Sequence, residues 1–218
     1  MKPGLKEIDS KFTEHYRKLL EVQESVKKQL DLYDYNLEAS EITEAIIERM
    51  NAFWHFNSHN NWGLLDRRSN PVSADFFTET CLLFIKTYFK SRHNMKFKVY
   101  SERNINTDKG RSVVKPDITI WRGEDELVAA IELKVSDGWK GKNMEGHLLE
   151  RENLIRNTRN GVWFGVLAYW NFEDESSPEW GKKYFGLLNH DKGHQHTPTG
   201  LTVEKMIIEI ERHLKPKE

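Results

Sequence analysis

Three charged side chains stand out in KPDITIWRGEDELVAAIELKV, residues 115–135. On either side of the turn formers Gly123 and Asp125, polar and apolar residues alternate, as in a β-hairpin with one face buried. A turn centred between Glu124 and Asp125 sets Asp117 opposite Glu132. Side chains alternate along a strand, so Lys134 shares the face of Glu132, and Ile118, Ile120, Ile131, Leu133 and Val135 form an apolar layer on the other face. A slip of one residue would destroy that agreement. Carboxylates at directly opposed positions lie roughly 5 Å apart at Cβ and repel unless a cation lies between them. Mg²⁺ suits such a place, because it takes oxygen ligands from one or two carboxylates and keeps several waters. Lys134 adds a compact positive charge that can hold or deprotonate a water and offset charge building on a phosphate. The reaction that uses these parts together is phosphodiester hydrolysis.

Pro116-Asp117 followed by Glu132-Leu133-Lys134 resembles the signature of the PD-(D/E)xK nuclease superfamily. The resemblance implies an α/β fold with a restriction-endonuclease-like αβββαβ core, a mixed central sheet flanked by helices. It covers residues 73–170, slightly under half of the chain, where the residue patterns independently give the same element order. It implies Asp117 and Glu132 as ligands of Mg²⁺ (with Mn²⁺ as a substitute), the backbone carbonyl of Leu133 as a third ligand, and Lys134 as the catalytic lysine. Members of the group often carry another acid on the helix before the first strand. Glu79 is the candidate, on a polar stripe with Asp75, Lys86 and Lys90, and Glu102 competes with it. The resemblance points to a DNA endonuclease, with a non-catalytic nucleic-acid- or protein-binding module as the alternative.

Elements must hold these groups in place. Residues 5–33 predict one long helix, with Leu5, Ile8, Phe12, His15, Leu19, Val22, Val26, Gln29 and Tyr33 forming a seam against a second helix. A second helix, from Ser40 as its cap to Trp54, carries Ile42, Ile46, Ile47, Met50 and Phe53 on one side. Together they read as an N-terminal helical hairpin over 1–57, either packed on the main body or serving as a dimerisation arm. Residues 57–71 read as a linker, and 72–218 as the nuclease domain. In that domain a largely buried helix follows Ser73. Strands are expected at 96–103, 115–121 and 127–135, a helix at 145–158, and an unbroken apolar central strand at 161–170. KYFGLLN is a further strand candidate, and a terminal helix starts near Thr202.

With 33 basic and 34 acidic side chains the net charge is −1, so nucleic-acid contact must come from local patches. Lys109, Arg111 and Lys115 precede Asp117, and Arg151, Arg156 and Arg159 lie in or after the second core helix; each is a candidate phosphate contact or an ordinary surface charge. Trp139 is either a base-stacking residue or a loop anchor. The single Cys81, in an apolar run, reads as a core residue. His190, Asp191, His194 and His196 lie close together, and His55 and His59 have i, i+4 spacing. Without a general-base Glu or a Cys partner cluster they read as surface histidines, with a zinc hydrolase as the third functional option. No apolar run of about 18 residues and no leader pattern occurs, so a cytoplasmic protein without membrane contact is expected.

Overall fold

The computed structural model describes residues 37–60, 70–93, 96–106, 113–135, 144–159, 161–171, 183–190 and 196–214, with eight positions between 10 and 28. The backbone divides into two compact units, Met1–Asn36 and Leu37–Glu218. In the smaller unit the eight described positions are helical and exposed, and Glu14 and Lys18 pair across one turn at 3.0 Å. The seam residues expected between Leu5 and Tyr33 lie outside the described residues.

The larger unit is mixed α/β. Its elements are α1 (Ala39–Asn60), α2 (Asn70–Arg92), β1 (Phe97–Ser101), β2 (Ile105–Asn106), β3 (Val113–Val114), β4 (Ile118–Arg122) and β5 (Glu126–Lys134). There follow α3 (Met144–Thr158), β6 (Trp163–Asn171), β7 (Tyr184–His190), β8 (His196–Pro198) and α4 (Val203–Leu214). Six strands form one sheet in the order β1-β4-β5-β6-β7-β8, and β2 pairs with β3 apart from it. The β5–β6 and β6–β7 pairs are parallel and the remaining neighbours antiparallel.

Helices cover both faces of this sheet. One face carries Ile118, Ile120, Ile131, Leu133, Leu167 and Tyr169 and packs on α1, α2 and α4. The other carries Trp121, Ala130, Phe164, Val166 and Ala168 and packs on α3 and the small β2–β3 pair. That is why β6 is apolar without interruption: a strand with parallel neighbours and two covered faces has no side for water. β5 was expected to be half-polar, yet Leu127–Leu133 are all buried. Its polar face is not a wet one.

Helix ends differ from the sequence expectation. α1 is capped two residues before the expected Ser40, where the Glu38 N–H donates to the Glu41 carboxylate at 3.0 Å, so Ser40 sits inside the first turn. α2 begins at Asn70, placing Ser73 in the helix and buried. Of the expected linker, 57–60 and 70–71 are helical. α4 starts as expected, with Thr202 Oγ1 accepting the Lys205 N–H at 3.1 Å, and its Val203, Met206, Ile207 and Ile210 make one buried stripe.

Candidate active site

The β4–β5 hairpin turns through Gly123-Glu124-Asp125, with Gly123 at φ 63°, a left-handed conformation that favours glycine. Next to the turn Arg122 pairs with Glu126 and Trp121 with Leu127, whereas Ile120 pairs with Ala129, so Val128 is an extra, bulged residue. Beyond the bulge Thr119 faces Ala130 and Ile118 faces Ile131, the last pair of the ladder, and the same count carried one residue further brings Asp117 level with Glu132. The sequence-predicted pairing thus holds at the site end, although the turn itself lies half a residue away. The bulge absorbs the difference.

Three of the expected residues converge there. Lys134 Nζ lies 3.4 Å from Glu132 Oε2 and 3.9 Å from Asp117 Oδ2. Their side chains are 11%, 3% and 30% exposed respectively, so the group opens to solvent on the Asp117 side. Leu133, expected to offer its carbonyl to a metal, is seen to donate its N–H to Asp117 Oδ2 at 2.6 Å. That bond extends the ladder past the end of β4 and fixes the carboxyl's orientation. On the other side, the Glu102 N–H donates to the Asp117 carbonyl at 3.2 Å, one step beyond the Ser101–Ile118 pair. Glu102 takes φ 49° to do so, a backbone state that costs a non-glycine residue about 1–2 kcal/mol.

A fourth charge comes from α3. Arg151 Nη2 lies 2.8 Å from Glu132 Oε1 and donates to the Lys115 carbonyl at 2.6 Å. No N–H points along the Glu132 contact, however, and Glu132 Oε1 and Arg151 Nε are both buried without a hydrogen-bond partner. The acid therefore sits between two cations that only partly satisfy it. Burial raises its pKa first and Asp117 adds to the rise, with Lys134 and Arg151 pulling the other way. A buried acid with an orphaned oxygen, beside a second carboxylate, fits a divalent cation with oxygen preference. Among the described residues no three or more His, Cys, Asp or Glu side chains group closely enough to share an ion.

The other sequence candidates are dispersed. Glu79 is exposed on α2, which covers the sheet face opposite to that of Glu132. α2 packs on the hairpin's apolar face through Cys81, whose fully buried thiol is pushed up by burial first and by the Asp117 charge second. Glu102 is exposed and is tied to Asp117 through the backbone. Lys115 is exposed two residues before Asp117. Arg156 pairs at 2.8 Å with Glu152, which also takes Lys183 at 2.7 Å, and Arg159 is exposed past the end of α3. Lys109, Arg111, Trp139, Asp191 and His194 lie outside the described residues. His190 pairs in register with His196, whose exposed ring lies 4.2 Å from that of Trp170. The Arg151–Glu132 contact had no sequence signal, since it depends on how α3 lies across the sheet.

No protein-family model matches the chain, and no curated protein matches it. Among solved structures it is similar to a chain of the "native BbvCI A2B2 tetramer at low resolution", at 13% identity over 80% of this chain and 88% of that one, with a TM-score of 0.30. At that level the fold rests on the strands and helices described above.

Proposed function

We propose that this chain is a Mg²⁺-dependent nuclease with a PD-(D/E)xK-type core, hydrolysing phosphodiester bonds and acting as a DNA endonuclease. The observation that supports this is the convergence of Asp117, Glu132 and Lys134 at the end of one hairpin, on a strand otherwise buried. Buried charges are costly, and well-packed apolar residues at such positions are often neutral or stabilising, so stability alone gives little reason to keep them. Asp117, Glu132 and the Leu133 carbonyl would hold the cation, which when bound polarises the phosphate and lowers the pKa of a coordinated water. Lys134 sits where its ammonium can position that water and offset negative charge on the phosphate as the bond breaks. Asp117 is kept in place by the Leu133 N–H, so its carboxyl needs no reorganisation when substrate arrives. Exposed Lys115, whose carbonyl accepts the Arg151 hydrogen bond, would be a contact for the phosphate backbone.

Supercoiled plasmid, linear duplex and single strands, each incubated with Mg²⁺, Mn²⁺ or chelator, test the proposal. Cleavage should require the metal and fall by roughly 10²-fold or more in Asp117→Ala and in Lys134→Ala, with circular dichroism unchanged. Undiminished cleavage by both variants would overturn it. A second reading, a binding module on the same fold, draws on the way Arg151 and the Leu133 N–H already engage the two acids. It predicts salt-sensitive nucleic-acid binding without turnover in any metal.

A further inference from the structure

We infer that Arg151 is a stand-in for the cation: its guanidinium neutralises Glu132 and passes to a substrate phosphate when a divalent ion takes its place. This rests on the cation site proposed above and concerns a residue on a different element. The evidence is the quality of the ion pair. The strongest arginine–carboxylate pairs present two parallel N–H donors to the two oxygens. Arg151 does not. Nη2 gives its hydrogen bond to the Lys115 carbonyl, Nε is buried with no acceptor, and Glu132 Oε1 lies 2.8 Å from Nη2 with no donor aimed at it. The charge is matched but the hydrogen bonds are not, so a hard cation at Oε1 would displace a weakly directed contact.

The exit for the displaced group is also visible. Arg151 is 37% exposed, against 3% for Glu132, so the guanidinium reaches solvent and the acid does not. Its second anchor, the Lys115 carbonyl, lies on the chain leading into Asp117, so a small swing about that contact leaves it beside the same cleft. A guanidinium freed there has the donor geometry that phosphate oxygens accept in pairs. Metal binding and phosphate binding are then coupled through one side chain: the ion releases the arginine, and the arginine adds to substrate affinity.

Two binding measurements test this without relying on turnover. Mn²⁺ affinity, read from free Mn²⁺ by electron paramagnetic resonance with no nucleic acid present, is compared for the wild type, Arg151→Gln, Arg151→Lys and Asp117→Asn. Removing the competing charge in Arg151→Gln should tighten Mn²⁺ by about tenfold, and Arg151→Lys, which keeps the charge, should stay near the wild type. In a Lys134→Ala background, the gain in anisotropy-measured affinity for a short labelled duplex on adding Mn²⁺ should be larger by about tenfold with Arg151 than with Gln. Equal or weaker Mn²⁺ binding by Arg151→Gln, or an equal metal-induced gain in duplex affinity, overturns the role of Arg151 while leaving the cation site standing. Failure of the site itself looks different: the wild type takes up no Mn²⁺, or Asp117→Asn binds it equally well.

Discussion

Glu132 is the residue on which the site's electrostatics turn. Its ordinary carboxyl pKa of 4.5 is raised by burial and by Asp117, more than Lys134 and Arg151 lower it. A raised value means that the folded chain binds this proton more readily than the unfolded one. The contribution to stability is complete below about pH 4.5 and is lost as pH rises through the raised value, above which the ionised acid is costly to bury. In chelator, Glu132→Gln should therefore gain thermal stability over the wild type as pH rises above about 4.5 and through the raised value; a melting-temperature difference constant with pH would contradict this. Mg²⁺ should then restore the wild type alone, since an ion bound only by the folded chain stabilises it, by about 2.7 kcal/mol at a hundredfold excess over Kd. A second expectation concerns Cys81: with its thiol buried and its pKa pushed up, the native chain should resist alkylation that proceeds in denaturant. The opposed acids were readable from the turn formers and the period-two alternation together, because a buried face constrains register. The partners that complete them were not. Arg151 arrives from another element, and the Leu133 N–H is available to Asp117 only because β4 ends where it does.

At the level of elements, the hairpin carries the site through the agreement between its turn and its bulge. Gly123 stands at φ 63° with nothing within 4 Å of where a Cβ would project. Gly123→Ala should thus cost only the conformational penalty, about 1–2 kcal/mol by denaturant titration, with turnover per folded molecule unchanged because the turn lies at the far end from Asp117. Gly165 on β6 is a different case, because a Cβ there would run into the Trp163 ring. Gly165→Ala should cost about 1–3 kcal/mol through overpacking and, being next to Ile131 of β5, should disturb the site's strand as well. The long elements were legible because each has a period over many residues. The two-residue strands β2 and β3 and the three-residue β8 were not, since segments that short carry no period. Helix ends were misplaced at Ser40 and Ser73 because a favourable cap residue is also tolerated inside a helix whose packing extends beyond it.

For the whole molecule, the informative element is α1. Its Ile42, Ile46 and Met50 have no exposure, Tyr169 of β6 donates to Asn51 Oδ1 at 3.1 Å, and the Val203 N–H at the start of α4 donates to Thr43 Oγ1 at 2.9 Å. Its amphipathic pattern shows that one face is covered but not by what, so the sequence allowed an arm where the structure has a layer of the core. Ile46→Ala should cost about 2–5 kcal/mol for that reason. The same packing decides where the chain can be shortened. A fragment beginning at Leu37 keeps every core contact named here and should melt cooperatively close to the full chain. One beginning at Val72 strips α1 from the sheet, exposes the apolar faces of α2 and α4, and should aggregate. The dimerisation arm expected over 1–57 has its second helix, α1, in the core, so we propose that any pairing of two copies falls to residues 1–36, which adds a functional reading to the first fragment. One site cuts one strand, so a dimeric full chain should convert supercoiled plasmid to linear form in Mg²⁺, while the Leu37–Glu218 fragment should sediment as a monomer and accumulate nicked circles. A fragment that still sediments as a dimer would move the pairing surface out of the first 36 residues and into the larger unit.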